Sequence, residues 1–473
     1  MFVKNFLLSN FFFILLGIIF FLMCNFLVSP KELSANGLLV ASLLILMGLW
    51  WLTNAIPLSI TALLPLILIP IFSDISITEV AKPYANPIIF LLLGGFILGL
   101  GLQKSNLHKR FAIYILMRVG SQKKNILFGF ITSTAFFSMW LSNTATCLLM
   151  LPIALSIIEK FKKYNDDIFE KILLLSIAYS SSIGGMSTLI GTAPNAIFAG
   201  FMSENFEVEI NFLSWMIFSL PLVITLLIIL YFFLSSFIKD KDFLSIPNTN
   251  FLKKEYEILG KINLEEKISL FIISLTILLW IFKKYINLFF GISLSDSSIS
   301  LFGACLFFII PSGKFKFILD SSWYTKIPWN ILILFGGGLS LANLVTSSGL
   351  ASWTSNFLYI LNNVDIFFII IFLAFLISMM TEITSNTATT LLFLPIMATF
   401  AVNYGQDIFV ISLPIVIAAS CAFMMPIATP PNAIIFSTNK IKIFEMASTG
   451  FLLNILAVIL STIWIYFFSY LLY

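Results

Sequence analysis

Long apolar segments make up most of the chain, and its polar residues collect in short stretches between them. A membrane-crossing helix needs about twenty apolar residues, so this pattern predicts an all-α polytopic membrane protein. We predict eleven transmembrane helices, near residues 6–28, 37–52, 55–73, 86–103, 168–202, 211–237, 267–284, 297–312, 329–347, 408–439 and 447–470.

Two further apolar segments, near residues 125–160 and 365–400, carry a polar interruption. In each, two apolar arms of about 16 residues meet at Ser-Asn-Thr, and each arm is slightly too short to cross a bilayer. Irregular backbone is tolerated at membrane depth only where it lines a cavity. These segments therefore predict two re-entrant hairpins, each entering and leaving the membrane on one side.

Composition excludes a soluble protein, since 60% of the 473 residues are hydrophobic and only 10% are charged. The four cysteines all lie in apolar segments, which indicates packing rather than a disulfide framework or a metal cluster.

The distribution of basic residues predicts the orientation. With a cytoplasmic N-terminus, only 4 of the 26 basic residues fall outside, in agreement with the positive-inside rule. These four are Lys31, Lys82, Lys283 and Lys284. Eleven crossings then place the C-terminus outside, and we expect an integral protein of a bacterial inner (cytoplasmic) membrane.

Two polar motifs each occur twice in the same order. Ser-Asn-Thr-Ala-Thr begins at Ser142 and at Ser385, and each copy is followed by Leu-Pro-Ile at the same offset. Gly-Thr-Ala-Pro-Asn-Ala-Ile then begins at Gly191, and Ala-Thr-Pro-Pro-Asn-Ala-Ile begins at Ala428. The chain therefore consists of two related halves. Because the halves start on opposite sides of the membrane, they are predicted to be inverted repeats.

These motifs supply neutral oxygen ligands and interrupted helices. Hydroxyls, amide oxygens and backbone carbonyls freed at a helix break suit a dehydrated Na+, and the N-termini of broken helices attract an anion. The two pairs predict two cation sites flanking one anion site, at which the anion would contact Asn143, Thr144, Thr192, Asn386, Thr387 and Thr429. The two arginines of the chain, Arg110 and Arg118, lie outside the predicted spans. A buried dianion would thus depend on bound cations for compensating charge.

Glu382, near the second hairpin tip, has no acidic counterpart in the first half. A structural role and a proton-coupling role are both open for it. An intramembrane enzyme is disfavoured because the spans contain no paired carboxylates and no Ser-Lys or His-Glu motif. A channel is a further alternative, which gradient-driven accumulation would exclude.

The duplicated motifs, together with Ala55-Ile56-Pro57-Leu58 and Ala62-Leu63-Leu64-Pro65, resemble the divalent anion/sodium symporter family of di- and tricarboxylate transporters. The resemblance extends from about Trp51 to the last span. It implies a homodimer whose protomers each have a scaffold and an elevator-type transport domain, and it implies no nucleic-acid partner. The implied scaffold comprises residues 1–124, with spans 1–4, and residues 238–364, with the cytoplasmic linker and spans 7–9. The implied transport domain comprises residues 125–237, with the first hairpin and spans 5–6, and residues 365–473, with the second hairpin and spans 10–11.

The resemblance also implies ligands for two co-transported sodium ions. The first set comprises Ser138, Ser142, Asn143 and Gly191. The second set comprises Thr381, Thr384, Asn386 and Ala428. The substrate would contact both Asn-Thr pairs together with Thr192, Ser385, Thr429 and Pro430.

The implied activity is secondary active, Na+-coupled symport of C4-dicarboxylates such as succinate, malate and fumarate. The substrate is thus a small dianionic carboxylate, and membrane lipid surrounds the protein. Three alternatives of the same fold remain open: a Na+-independent dicarboxylate exchanger, a citrate transporter and a sulfate transporter.

Overall fold

A computed structural model of the chain describes residues 2–28, 30–120, 122–161, 167–238, 250–313, 316–357 and 364–472. These residues are almost entirely helical. The predicted cytoplasmic linker falls in part outside the described residues, at 239–249.

The first half contributes helices α1 to α12. They are α1 Phe2–Leu27, α2 Ala35–Thr53, α3 Leu58–Thr61, α4 Leu64–Phe72, α5 Ile77–Ala81, α6 Pro87–Lys104, α7 Leu107–Val119, α8 Lys123–Ser138, α9 Asn143–Phe161, α10 Asp167–Gly185, α11 Ala193–Phe206 and α12 Phe212–Ser235.

The second half contributes helices α13 to α22 and one short antiparallel pair of strands. The helices are α13 Asn250–Ile258, α14 Leu264–Phe290, α15 Asp296–Ile309, α16 Trp329–Ser347, α17 Leu350–Phe357, α18 Ile366–Thr381, α19 Asn386–Asn403, α20 Ile408–Ser420, α21 Pro430–Phe436 and α22 Ile443–Phe468. The strands are β1 Pro311–Gly313 and β2 Lys316–Phe317, and 3-10 helices cover Lys82–Ala85, Ser321–Thr325 and Ser469–Leu472.

Eight of the described helices are long and apolar enough to cross a membrane. Seven of these, namely α1, α2, α6, α12, α14, α16 and α22, coincide with predicted spans, and the eighth is α19. This confirms the all-helical, polytopic character of the chain. Large exposed apolar side chains, such as Phe289 at 83% and Phe444 at 81% exposure, give the outer surface the character that lipid contact requires.

The other four predicted spans are short or interrupted. The segment 55–73 divides into α3 and α4, with Pro57 preceding the first and Pro65 in the first turn of the second. The segments 168–202 and 408–439 divide before Pro194 and Pro430, where the prolines predicted broken helices. The remaining segment forms α15, which has only 14 residues.

Both hairpin segments break at the Ser-Asn-Thr triplet. The arms α8 and α9 have 16 and 19 residues and are separated by residues 139–142. The arms α18 and α19 have 16 and 18 residues and are separated by residues 382–385. The helix break that the polar triplet predicted is present in both copies.

Helix α7 lies between two predicted spans and is amphipathic, with one face buried. The Arg110 guanidinium donates to the Glu266 carboxylate at 2.7 Å and 3.0 Å and to the carbonyl oxygens of Gly260 and Leu259. These bonds join the first half to the start of α14. His108, also buried, has Nδ1 at 2.9 Å from the carbonyl oxygen of Leu102.

The motif-bearing helices of the two halves pack against one another. Helix α21 contacts α9 and α10, and the Cys147 thiol lies 3.7 Å from the carbonyl oxygen of Pro431. Helix α12 contacts α22, where Trp464 Nε1 donates to the carbonyl oxygen of Phe218 at 3.0 Å. The site described next therefore lies between elements from both halves.

Candidate functional site

Four helices begin at one cavity of about 370 Å3. They are α9, α11, α19 and α21, and the residues that precede them, Ser142, Thr192, Ser385 and Thr429, all line the cavity. The first N–H groups of a helix have no partner within the helix and carry partial positive charge. The convergence of these groups from α9, α11 and α19 makes the cavity suited to an anion, whereas α21 begins with two prolines that have no N–H.

All eight residues predicted to contact substrate line this cavity. They are Asn143, Thr144, Thr192, Ser385, Asn386, Thr387, Thr429 and Pro430. Residues far apart in sequence are thus brought together as the duplicated motifs predicted. Among the described residues that line the cavity, none carries an ionisable side chain. The polarity of the site comes from hydroxyls, amides and backbone groups.

The second motif adopts the same backbone conformation in both halves. Thr192 has φ −140° and ψ 147°, and Thr429 has φ −138° and ψ 149°. Both residues precede a proline in the first helical turn. The Thr429 hydroxyl accepts a hydrogen bond from the N–H of Asn432, whereas the Thr192 hydroxyl makes no such bond to its helix. The two threonines are therefore equivalent in backbone but not in hydrogen bonding.

Behind the first triplet, oxygen atoms cluster around the Asn143 amide. The Ser138 hydroxyl lies 2.7 Å from one atom of this amide and donates to the carbonyl oxygen of Ser181 at 2.6 Å. The same amide atom lies 3.0 Å from that carbonyl and 3.3 Å from the carbonyl oxygen of Gly191. If this atom is the amide nitrogen, it donates to both carbonyls. If it is the amide oxygen, it joins the Ser138 hydroxyl and the two carbonyls in a group of four oxygens, which is a ligand set suited to a hard cation.

The second half repeats part of this arrangement. The Thr381 hydroxyl donates to Asn386 Oδ1 at 2.6 Å and lies 3.0 Å from the carbonyl oxygen of Ala419. Ser138 and Thr381 do not line the cavity, so each buried hydroxyl supports its asparagine from behind. The Thr384 hydroxyl instead contacts the carbonyl oxygen of Met380 and the hydroxyl of Thr389.

The remaining predicted sodium ligands lie at the cavity wall. Ser142, Gly191 and Ala428 all line it. A Cβ on Gly191 would lie 2.3 Å from the carbonyl oxygen of Gly185, and a Cβ on Gly185 would lie 2.3 Å from Asn143 Oδ1. Glycine is therefore required for this close approach in the first half, whereas the second half has Ala428 in the position of Gly191.

Sequence analysis did not include the motif asparagines Asn195 and Asn432 among the site residues. Asn195 Nδ2 donates to the carbonyl oxygens of Gly185, Met186 and Thr188, at 3.3, 3.1 and 2.8 Å. Asn432 Nδ2 donates to those of Ala422 and Met425, at 3.1 and 3.0 Å. Each asparagine holds the unwound segment before its own helix, and its presence in both copies of the motif was the available signal.

Two polar residues outside the repeated motifs also line the cavity. Ser59 lies on α3 and Asn330 lies in the first turn of α16. Neither belongs to a duplicated sequence, so no sequence pattern marked them.

Glu382 is 3% exposed and lies just after α18. Its carboxylate accepts hydrogen bonds from the backbone N–H groups of Phe423, Met424 and Met425 at 2.8 to 3.1 Å. The side-chain amide of Asn454 donates to it at 2.6 Å. Because Glu382 does not line the cavity, it supports the second helix break from outside the site.

Comparison with known proteins identifies relatives along nearly the whole chain. A family described as "Sodium:sulfate symporter transmembrane region" matches residues 8–473. A protein of Staphylococcus saprophyticus named sodium-dependent dicarboxylate transporter SdcS is 39% identical over 468 residues, covering 96% of this chain and 90% of that protein. The protein of the same name from Staphylococcus aureus strain USA300 is also 39% identical with the same coverage.

Proposed function

This chain belongs to the sodium:sulfate symporter family, the divalent anion/sodium symporters, and we propose that it is a secondary active transporter that couples Na+ movement to the uptake of C4-dicarboxylates. Family membership agrees with a transporter rather than an enzyme. The relatives that are 39% identical are named sodium-dependent dicarboxylate transporters, which supports Na+ as the coupling ion and a dicarboxylate as the substrate.

The proposal depends most on one observation: both copies of both motifs surround a single cavity. Its volume of about 370 Å3 is within the range of small-molecule sites. Succinate, malate and fumarate carry a carboxylate at each end, and the cavity presents an Asn-Thr pair from each half. We assign one carboxylate to Asn143 and Thr144, and the other to Asn386 and Thr387.

Charge compensation explains why sodium is required. Burial of a dianion without compensating charge is costly, and the described lining residues include no cationic side chain. Helix N-termini supply only partial charges. Two sodium ions beside the carboxylates would complete the compensation, so that substrate binds well only to the Na+-loaded protein.

We propose two sodium sites on opposite sides of the substrate. The oxygens of the first come from Ser138, Ser142, Asn143 and the backbone of Gly191. Those of the second come from Thr381, Asn386 and the backbone of Thr384 and Ala428. The backbone of Thr384 is proposed because its hydroxyl contacts Met380 and Thr389. Thr192, Ser385, Thr429 and Pro430 complete the substrate contacts.

The architecture expected from the sequence forms part of the proposal. It comprises eleven spans and two re-entrant hairpins in inverted repeats. Residues 1–124 and 238–364 form the scaffold, and residues 125–237 and 365–473 form the moving transport domain. Packing of α21 on α9 and α10 and of α12 on α22 supports one transport domain built from both halves. We place a homodimer in the inner membrane, with a cytoplasmic N-terminus and an external C-terminus.

Uptake of labelled succinate into proteoliposomes tests the coupling. We expect accumulation under an inward Na+ gradient and none under a matched K+ gradient, with unlabelled malate and fumarate competing. Proteoliposomes preloaded with succinate provide the second arm. If uptake required internal succinate but did not depend on Na+, the mechanism would be exchange and not symport.

Sulfate is a second candidate substrate because the family description names it. Competition by sulfate against labelled succinate compares the two directly. A dicarboxylate site with an Asn-Thr pair for each carboxylate should prefer succinate. Stronger uptake of labelled sulfate than of succinate would contradict that assignment.

A further inference from the structure

Two cavities lie between the binding cavity and one end of the helix bundle. A second cavity of about 330 Å3 shares Phe96, Ser142 and Thr144 with the binding cavity. A third cavity of about 200 Å3 shares Leu100, Gln103 and Lys326 with the second. Because neighbouring cavities share wall residues, the three lie side by side in one row, which we call the path.

One face of α6 follows the whole path. Leu92 lines the binding cavity, Phe96 the first two cavities, and Leu100 and Gln103 the second and third. These residues are four, four and three positions apart, which places them on the same side of a helix. At 1.5 Å per residue, the path extends about 16 Å along the helix from Leu92 to Gln103.

At the other end of α6, a cavity of about 410 Å3 beside Pro87 shares no lining residue with the binding cavity. The row of cavities that do share lining residues leads from the binding cavity toward the C-terminal end of α6. The distribution of basic residues predicts that this end is cytoplasmic.

Charged side chains appear only toward the outer part of this path. The third cavity is lined by Lys104, Asp320 and Lys326, and Lys326 also lines the second. Lys104 forms an ion pair with Asp320, and its hydrogen bond lowers the pKa of the Asp320 carboxyl, which therefore stays ionised at neutral pH. Lys326 is exposed and forms no ion pair with any acidic side chain of the described residues. The path thus carries one uncompensated positive charge.

We propose that this path is the cytoplasmic access route to the binding site, and that Lys326 attracts the dicarboxylate dianion into it. The inference rests on the proposed function for its substrate. The binding cavity can attract an anion only at short range, through helix N-termini and bound Na+. An ammonium group in the wall that joins the two outer cavities extends this attraction toward the cytoplasm. Lys326 is therefore a positioning residue for access and release.

The position of Lys326 determines which kinetic constants it affects. A charge in an access path raises the local concentration of a dianion without touching the bound substrate, so it changes KM and leaves kcat nearly unchanged. The attraction weakens as ionic strength rises, because the Debye length is about 10 Å at 0.1 M salt. The effect should appear only when substrate approaches from the side of the path.

The test compares succinate uptake into inside-out and right-side-out membrane vesicles at saturating Na+. Lys326→Gln should raise KM by about three- to fivefold in inside-out vesicles, and Lys326→Arg should match the wild type. Asp320→Asn should lower KM in the same vesicles, because it frees the charge of Lys104. Lys316→Gln is the matched control, since Lys316 is exposed on β2 and lines none of these cavities.

Wild-type KM for Lys326→Gln in both orientations would overturn the role of Lys326, as would an equal rise for Lys316→Gln.

Thiol labelling tests the path without transport. In a chain with Cys24→Ala and Cys305→Ala, we expect Gln103→Cys to react with a membrane-impermeant reagent in inside-out vesicles only. Absence of labelling there would overturn the access route. Labelling without succinate uptake by the wild type would instead overturn the proposed substrate.

Discussion

The two helix breaks at the cavity have the same backbone role but are held by different side chains. The first break, residues 186–192, is held through its carbonyl groups: Trp215 Nε1 donates to Met186 at 3.0 Å, and the Ser219 hydroxyl donates to Ser187 at 2.9 Å. The second break, residues 421–429, is held through three N–H groups by the Glu382 carboxylate, and the Ser378 hydroxyl donates to the Cys421 carbonyl at 3.0 Å. The second hairpin tip thus supplies a carboxylate, whereas the first supplies the Met139 carbonyl, which accepts from the Thr188 hydroxyl at 2.6 Å.

This difference separates the residues that form the site from those that support it. The motif residues that face the cavity are duplicated, although Ser59 and Asn330 are not, and so are Asn195 and Asn432, which hold the unwound segments from within the motif. The outer supports share no sequence. Glu382 has no acidic counterpart because other side chains hold the first break. This geometry favours a structural role for Glu382.

The largest expected effect comes from the duplicated residues themselves. Asn143→Ala or Asn386→Ala should each reduce Na+-driven succinate uptake below about 1% of the wild-type rate, because we propose that each asparagine contacts both a sodium ion and a carboxylate. Uptake in proteoliposomes measures this effect.

Asn356→Ala is the control for this pair, since Asn356 is exposed on α17 and lies outside the cavity. Size-exclusion chromatography in detergent should show both site variants folded. Wild-type uptake by either variant would contradict the proposed role of the substituted asparagine in binding.

Glu382→Ala should be the most destabilising of the support variants. It leaves the backbone N–H groups of Met424 and Met425 and the Asn454 amide without their acceptor in a buried region, which costs about 3 kcal/mol or more, whereas the Phe423 N–H keeps Asn454 Oδ1. Thermal unfolding in detergent measures the loss, and Glu382→Gln should lose less because one acceptor oxygen remains.

The pH profile of uptake distinguishes support from proton coupling. A supporting carboxylate predicts that Glu382→Gln keeps the wild-type profile with a lower melting temperature. A flattened profile at unchanged stability would instead show that Glu382 titrates during transport.

The sequence predicted the site more completely than it predicted the supports. Duplication marked Asn143, Asn386 and their neighbours, and the prolines marked where helices break. The partners of Glu382 lie 41 to 72 positions away and form no periodic pattern, so no local signal indicated them. The buried face of helix α7 was not predicted for a related reason: Arg110 is buried through Glu266 and two carbonyls that are distant in sequence.

Gly191 and Ala428 occupy equivalent positions in the two proposed sodium sites. Gly191→Ala places a Cβ 2.3 Å from the carbonyl oxygen of Gly185, which displaces a backbone that contacts the Asn143 amide. We expect the Na+ concentration for half-maximal uptake to rise about tenfold, the size of change that misplaced ligand supports produce at metal sites.

Ala428→Gly is the mirror variant and adds no atom, so its Na+ dependence should stay within about twofold of the wild type, apart from a small loss of stability. If Gly191→Ala and Ala428→Gly changed the Na+ concentration for half-maximal uptake equally, the two proposed cation sites would respond alike. That result would contradict the prediction from the close glycine packing, which is seen in the first half alone.

The smallest expected effect is at the support of the first break. Trp215→Phe keeps an aromatic ring beside Phe198 and Phe218 but removes the donor to the Met186 carbonyl, and Ser219→Ala likewise removes one donor. Each should cost about 1 kcal/mol in thermal unfolding and leave uptake measurable, because each removes one hydrogen bond and the Met186 carbonyl still accepts from Asn195. Hydrogen–deuterium exchange should increase at residues 186–192 and stay unchanged at 421–429. A loss as large as that of Glu382→Ala would mean that the two breaks depend on their outer supports equally, even though only one of them relies on a single carboxylate.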